Sequence, residues 1–195
     1  MQIILTFILT FISSFYLYDL MDSAKYEKLI NEQIKLSTQT NIPHIGTQTI
    51  LTQNYNLEIH KARVLAMVIN DAALIEDIPP EHLIAVIKVE SNFNHKAVSS
   101  EKAIGFAQII PRYWNGEKGY DAYDKYDNIY LSAHVLKTYH TQLKDWDKTF
   151  KAYNVGIGNF NKKKQLSAQT RYLRKINREL NSIAVFKEER KYAKL

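Results

Sequence analysis

The sequence predicts a mainly α-helical fold, on three observations. Apolar residues recur at the 3.6-residue period of a helix in several separate stretches beyond residue 57. No convincing run of alternating apolar and polar residues argues for a strand. Pro79-Pro80 stands between two of the periodic stretches, where proline suits the first turn of the second helix. The 195 residues, 46% of them hydrophobic, suffice for one buried core plus an appendage.

Taken in order, Met1 to Tyr18 carry no charged side chain and include Ile3, Ile4, Leu5, Phe7, Ile8, Leu9, Phe11 and Ile12. Residues 1–20 therefore read as a hydrophobic membrane anchor or signal segment, at the short end of the roughly 17 to 25 residues that span a bilayer. No Lys or Arg precedes Lys25, and Ser13-Ser14 is a weak cleavage site, which favours an uncleaved anchor over a cleaved signal. Asp22 to Leu36 predicts a short amphipathic helix, and Ser37 to Asn56, rich in Thr, Gln and Asn with Pro43 and Gly46, has the composition of a spacer. Residues 21–57 are thus a helix and polar spacer, 58–186 the main domain, and 187–195 a basic tail.

Within that domain, Val64, Met67, Val68 and Ala72 mark a first helix, and Leu83, Ile84, Val86 and Ile87 a second. Ile129, Ala133, Leu136, Tyr139, His140 and Leu143 mark a third, and Leu166, Leu173, Ile176, Leu180 and Ile183 a long basic fourth. Between the second and third lies an irregular stretch from Phe93 to Asp127 that is too long for a mere connection, and such loops usually carry function.

The net charge of +6 is uneven: Asn161 to Leu195 hold eleven Lys/Arg against three Glu, leaving fifteen against seventeen before them. A basic end can be drawn to an anionic polymer, although a solvated helix face is the commoner reason for a charge run. The absence of cysteine excludes disulfides, thiolate zinc sites and cysteine nucleophiles. Histidines 44, 60, 82, 95, 134 and 140 show no paired metal-ligand spacing, so no metal is expected. Gly156-Ile157-Gly158 follows a helical pattern, and no phosphate loop or G-x-S-x-G motif occurs, so nucleotide and serine-hydrolase chemistry drop out and no cofactor is expected.

Glu90 is the most informative residue. It follows Val86 by four and Ile87 by three, which puts it on the apolar stripe of the second helix. Partial burial disfavours the charged carboxylate and raises its pKa toward the range of a general acid working near neutral pH. The plain alternative is a carboxylate at a helix end that swings out to solvent and pairs with Lys88 or Lys96.

The neighbouring motifs weigh for the first reading. Glu90-Ser91-Asn92-Phe93, Ala97-Val98-Ser99, Ala103-Ile104-Gly105-Phe106-Ala107-Gln108 and Ala152-Tyr153-Asn154-Val155-Gly156 resemble, in order and spacing, the successive motifs of the soluble-lytic-transglycosylase family. The resemblance covers roughly residues 60 to 180, the length of one compact domain. It implies a lysozyme-like helical domain that cuts the β-1,4 bond between N-acetylmuramic acid and N-acetylglucosamine in peptidoglycan glycan strands. Glu90 would be its single catalytic acid and base, and the product a 1,6-anhydromuramyl end. Carried over residue by residue, Ser91 would position Glu90 or bind the N-acetyl group, and Gln108 would offer donor and acceptor to a sugar hydroxyl. The Tyr153 hydroxyl would reach the catalytic carboxylate, and Asn154 would stabilise the turn before Gly156. Trp114, in an aromatic-rich stretch, is a candidate for cleft lining beside the bland alternative of core packing.

Three positions depart from the family pattern. Lys102 stands where glycine is usual, which suggests a turn conformation that a side chain accepts; Ala107 replaces a usual methionine and Ser132 a common glycine. Gln169 to Leu173 resembles the family's threonine-to-tyrosine segment with one residue missing between Arg171 and Tyr172, which leaves Tyr172 without an assigned role.

Two other readings stand beside this one: a hydrolytic muramidase on the same fold, and a non-catalytic wall- or nucleic-acid-binding protein that uses the basic end. Membrane association through residues 1–18, partners among envelope-complex or virion proteins, and a place on the periplasmic side of the cell envelope or in a phage virion are expected by analogy.

Overall fold

A computed structural model describes residues 44–192. The anchor or signal segment at 1–20, the helix expected over 22–36 and residues 193–195 lie outside the described residues.

The described chain is mainly helical: α1 His44–Thr49 continuing into a π-helical turn Ile50–Asn54, α2 Ile59–Ile75, α3 Pro80–Ser91, α4 Pro111–Trp114, α5 Asp127–Leu143, α6 Trp146–Val155, α7 Ile157–Asn161 and α8 Leu166–Tyr192. Among the described residues the only extended pairing is the isolated bridges Val98–Ile104 and Ile104–Ile109. No helix of the described residues is long and apolar enough to cross a membrane.

The four helices read from periodicity correspond to α2, α3, α5 and α8, and the local chemistry explains their bounds. Glu58 opens α2 by accepting from the His60 and Lys61 amides at 2.9 and 3.0 Å. Pro80 occupies the first turn of α3, where a missing N–H costs nothing. Leu83 through Ile87 are all buried, so α3 is enclosed on every side and forms the axis of the domain. Two short helices, α6 and α7, add to these four; Asp145 starts α6 by accepting from the Lys148 amide at 2.9 Å.

The spacer reading fails from residue 44 onward. Thr47, Ile50 and Leu51 are buried, α1 packs on α2, and the Thr47 hydroxyl donates to Asn70 at 3.2 Å, so the folded unit includes residues placed in the linker by composition. A six-residue helix with one buried side chain of its own is too short to show a period, and its polar composition conceals it. The basic tail is corrected similarly: residues 187–192 continue α8. That helix is about 40 Å long at 1.5 Å per residue. It lies across α3 and α6, and its far end is held by Lys187 to Glu81, Arg190 to Gln53, and the Asn54 amide to Ser182 at 3.2 Å.

The stretch from Phe93 to Asp127 is mostly irregular as expected, and one fully buried side chain makes three of the hydrogen bonds that order it. Asn128, with no exposed surface, accepts from the Ala107 amide at 2.9 Å and donates to the Ile104 and Ala122 carbonyls at 3.0 and 3.1 Å. Gly105 passes directly over it at φ +79°, and a Cβ there would meet the Asn128 amide at 2.6 Å. Lys102 corrects another expectation. Its φ of 62° is the left-handed conformation that glycine takes most easily, so the lysine tolerates the turn instead of relaxing it.

Candidate active site

The end of α3 creates the site. Asn92 and Phe93 both adopt left-handed backbone, at φ 52° and 60°, so the chain turns sharply right after Glu90 and Ser91. Phe93 is buried and its ring lies 5.3 Å from that of Tyr55, pinning the turn to the core. Glu90, in the last turn, is thus held partly buried where an ordinary helix terminus would let it swing into water.

Among the described residues its carboxylate has one hydrogen-bond donor, the Tyr172 hydroxyl of α8, at 2.7 Å from Oε1. Tyr172 is itself buried, so this contact is shielded from water. Burial pushes the Glu90 pKa up to about 7, against the opposing pull of the Tyr172 hydroxyl and the Lys175 charge. Near neutral pH the carboxyl is therefore poised to give a proton and to take one back. Neither group that acts on Glu90 is a second carboxylate, and no cluster of three His, Cys, Asp or Glu that could hold a metal occurs among the described residues.

Tyr153 does not fill the role expected for it. Its hydroxyl donates to the Ala107 carbonyl at 2.8 Å and pairs with the Ser132 hydroxyl at 3.0 Å, which ties α6 and α5 to the loop instead of touching the Glu90 carboxylate. The Ser132 hydroxyl supplies a polar partner that a glycine there would lack. Glu90 still lies close enough to raise the Tyr153 pKa, after burial. The sequence could have pointed to Tyr172 through its spacing: with Ile176 four residues on, it continues the buried stripe of α8. The missing residue beside it obscures the match.

Ser91 is a positioning group. Its hydroxyl reaches the Phe106 carbonyl at 2.7 Å and the Ile87 carbonyl at 3.3 Å, and it accepts from the Asn94 amide at 3.2 Å, fastening the loop to the end of α3. Gln108, at φ 51°, donates its side-chain amide to the Ala97 and Gly105 carbonyls at 3.1 Å each, leaving Oε1 without a donor among the described residues. The amide nitrogen thus shapes the loop, and the oxygen keeps its acceptor capacity. Asn154 is exposed and makes no side-chain hydrogen bond among the described residues; Asn159 instead satisfies the Val155 carbonyl at 2.8 Å. Trp114 packs edge-on against His134 and Tyr139, with centroids 6.2 and 6.0 Å apart, so it is a wall of the fold.

The Tyr172 contact has a direct test. A donor to the charged carboxylate lowers its pKa, so Tyr172→Phe is expected to lift the Glu90 midpoint above 7. Carbon-13 titration of the glutamate carboxyls checks it, and a midpoint that falls toward 4.5 contradicts the geometry.

The sequence model of the transglycosylase SLT domain matches residues 67–176, more than half of the chain. That span runs from α2 through Glu90 and the Asn128 loop to the Tyr172 contact.

Proposed function

The chain belongs to the transglycosylase SLT family, and from that premise we propose that Glu90 makes it a lytic transglycosylase that forms 1,6-anhydromuramyl ends. The family supports peptidoglycan as substrate and cleavage of the lytic-transglycosylase type. The observation that carries the finer reading is a single carboxyl with a pKa near 7 whose acting partners are a tyrosine and a lysine.

The steps follow from that group. Protonated Glu90 gives its proton to the glycosidic oxygen between N-acetylmuramic acid and N-acetylglucosamine, and the C1–O bond breaks with positive charge developing on the muramyl ring. The Glu90 carboxylate, stabilised by the Tyr172 hydroxyl, then takes the proton of the muramyl C6 hydroxyl as that oxygen bonds to C1. Glu90 ends protonated as it began, and no water is consumed. On this reading the Gln108 oxygen accepts from a sugar hydroxyl, and the hydrogen bonds of Ser91 and Tyr153 to the Phe106 and Ala107 carbonyls support it by fixing the loop that carries Gln108.

Hydrolysis on the same fold is the rival outcome, and product mass separates the two. An anhydro end is one water lighter than a reducing end; products at the heavier mass alone would replace this reading with a hydrolytic muramidase. Because the first step needs the protonated acid, kcat/KM is expected to fall tenfold per pH unit above about 7. A profile flat from pH 6 to 9 would mean that Glu90 is not the donor. An uncharged segment at residues 1–18 supports a location at the cell envelope, where such an enzyme would open the wall locally for an envelope-spanning apparatus or a phage.

A further inference from the structure

We propose that a row of cations on α8, Arg171, Arg174, Lys175 and Arg178, binds the carboxylates of the peptide stems carried by the glycan, so that the enzyme favours peptide-bearing strands over bare ones. This inference rests on the functional reading above and names a part of the substrate that the glutamate itself does not read.

The placement comes from the helix period. Arg171, Lys175 and Arg178 are four and then three residues apart and share one face of α8, with Arg174 beside them. All four are exposed, and together they span about 10 Å of helix. Arg171 directly precedes Tyr172, the residue that holds Glu90, and Lys175 is close enough for its charge to act on that carboxylate. The row thus begins at the edge of the catalytic centre and leads away from it.

The row is also electrostatically uncommitted. Arg171, Arg174 and Lys175 form no ion pair among the described residues, and Arg178 reaches only its neighbour Glu179, at 3.3 Å. Glu179 is the sole acid of α8 before Glu188, and it is buried. Structural charge runs usually interleave both signs, whereas this one leaves a positive strip facing solvent. Thr170, Asn177 and Asn181 share the open side of α8 with Arg174 and Arg178. Their amides and hydroxyl can meet peptide N–H and carbonyl groups between the charges.

The chemistry of the substrate selects the ligand. The muramyl residue whose bond lies at Glu90 is the sugar that bears the stem on its lactyl group, so on this proposal the stem meets the strip at its Arg171–Lys175 end, beside Tyr172. Free carboxylates on the stem match guanidinium forks. An anionic lipid surface or a nucleic acid would gain nothing from alignment with the scissile bond.

The experiment compares kcat/KM on peptide-bearing glycan strands with kcat/KM on strands freed of peptide by an amidase, for the full chain and for the triple variant Arg171→Gln, Arg174→Gln, Arg178→Gln. Lys175 is left in place because of its influence on Glu90. Exposed charge pairs contribute roughly twofold each, so the preference for peptide-bearing strands is expected to fall roughly tenfold in the variant, with cleavage of bare strands within about twofold of the parent. Amidating the stem carboxylates should erase the preference of the parent enzyme as well. An unaltered ratio in the variant, or amidated strands cut as well as native ones, overturns the proposal while leaving the enzyme reading intact. A parent enzyme that cuts neither substrate overturns both. A variant that loses retention on phosphatidylglycerol vesicles with the ratio unchanged assigns the strip to lipid and overturns the stem reading.

Discussion

Replacing Glu90 by glutamine is expected to lower strand cleavage by a thousandfold or more and, at neutral pH, to make the domain more stable. Positioned general acids typically contribute between about a hundredfold and ten-thousandfold, and here the same group serves both proton transfers, so the upper part of that range applies. The stability gain follows from the direction of the pKa shift. Below pH 4.5 Glu90 is protonated in folded and unfolded chains alike and carries no penalty. Between 4.5 and about 7 the unfolded chain releases its proton while the folded chain keeps it, so the folded state loses ground as pH rises. Above that window the cost is at most about 3 kcal/mol, and a glutamine, which never ionises, avoids it while still accepting from the Tyr172 hydroxyl. Urea unfolding at pH 4 and pH 8, paired with product analysis, reads both effects. A Glu90→Gln variant that still cuts would transfer support to a non-catalytic wall- or nucleic-acid-binding protein.

Asn128→Ala is expected to be the most damaging change away from the carboxylate. It removes three hydrogen bonds at a side chain with no exposed surface and leaves the Ala107 amide and the Ile104 and Ala122 carbonyls without that partner. Orphaned buried groups cost roughly 1 to 3 kcal/mol each, so a loss of about 4 kcal/mol and a fall in Tm of roughly 10 °C are expected. Cleavage should fall as well, because the released loop carries Gln108 and the carbonyls that Ser91 and Tyr153 grip. Asn128→Asp separates the donor from the acceptor role: it keeps an acceptor for Ala107 but sets a carboxylate oxygen against two carbonyls, and should be no better tolerated than alanine. A variant that melts with the parent would show that the loop does not depend on this side chain.

The contrast between these two residues explains what can be read in the chain. Glu90 is legible because its spacing from Val86 and Ile87 places it on an apolar stripe, a relation contained within one helix turn. The helices around it are legible for the same reason. Tyr172 and Asn128 act across 82 and 21 residues, and no local period encodes such partners. Tyr153 stands in the matching motif, yet its hydroxyl is taken up by Ala107 and Ser132, since hydrogen bonding is settled by what packs nearby. Residues 44–54 read as spacer because composition reports solubility, while the burial of Ile50 and Leu51 depends on α2 and α8 being present to cover them.

The distance along the chain between Glu90 and its donor also sets an order of events during synthesis. A chain emerging from the ribosome presents the α3 glutamate long before α8 exists, and until that last helix docks the carboxyl sits in water, ionised at cytoplasmic pH. In that state it has no proton to give. If Glu90 is the acid of the proposed reaction, competence for cleavage therefore waits on the docking of α8, and a polypeptide lacking that helix is expected to leave peptidoglycan uncut.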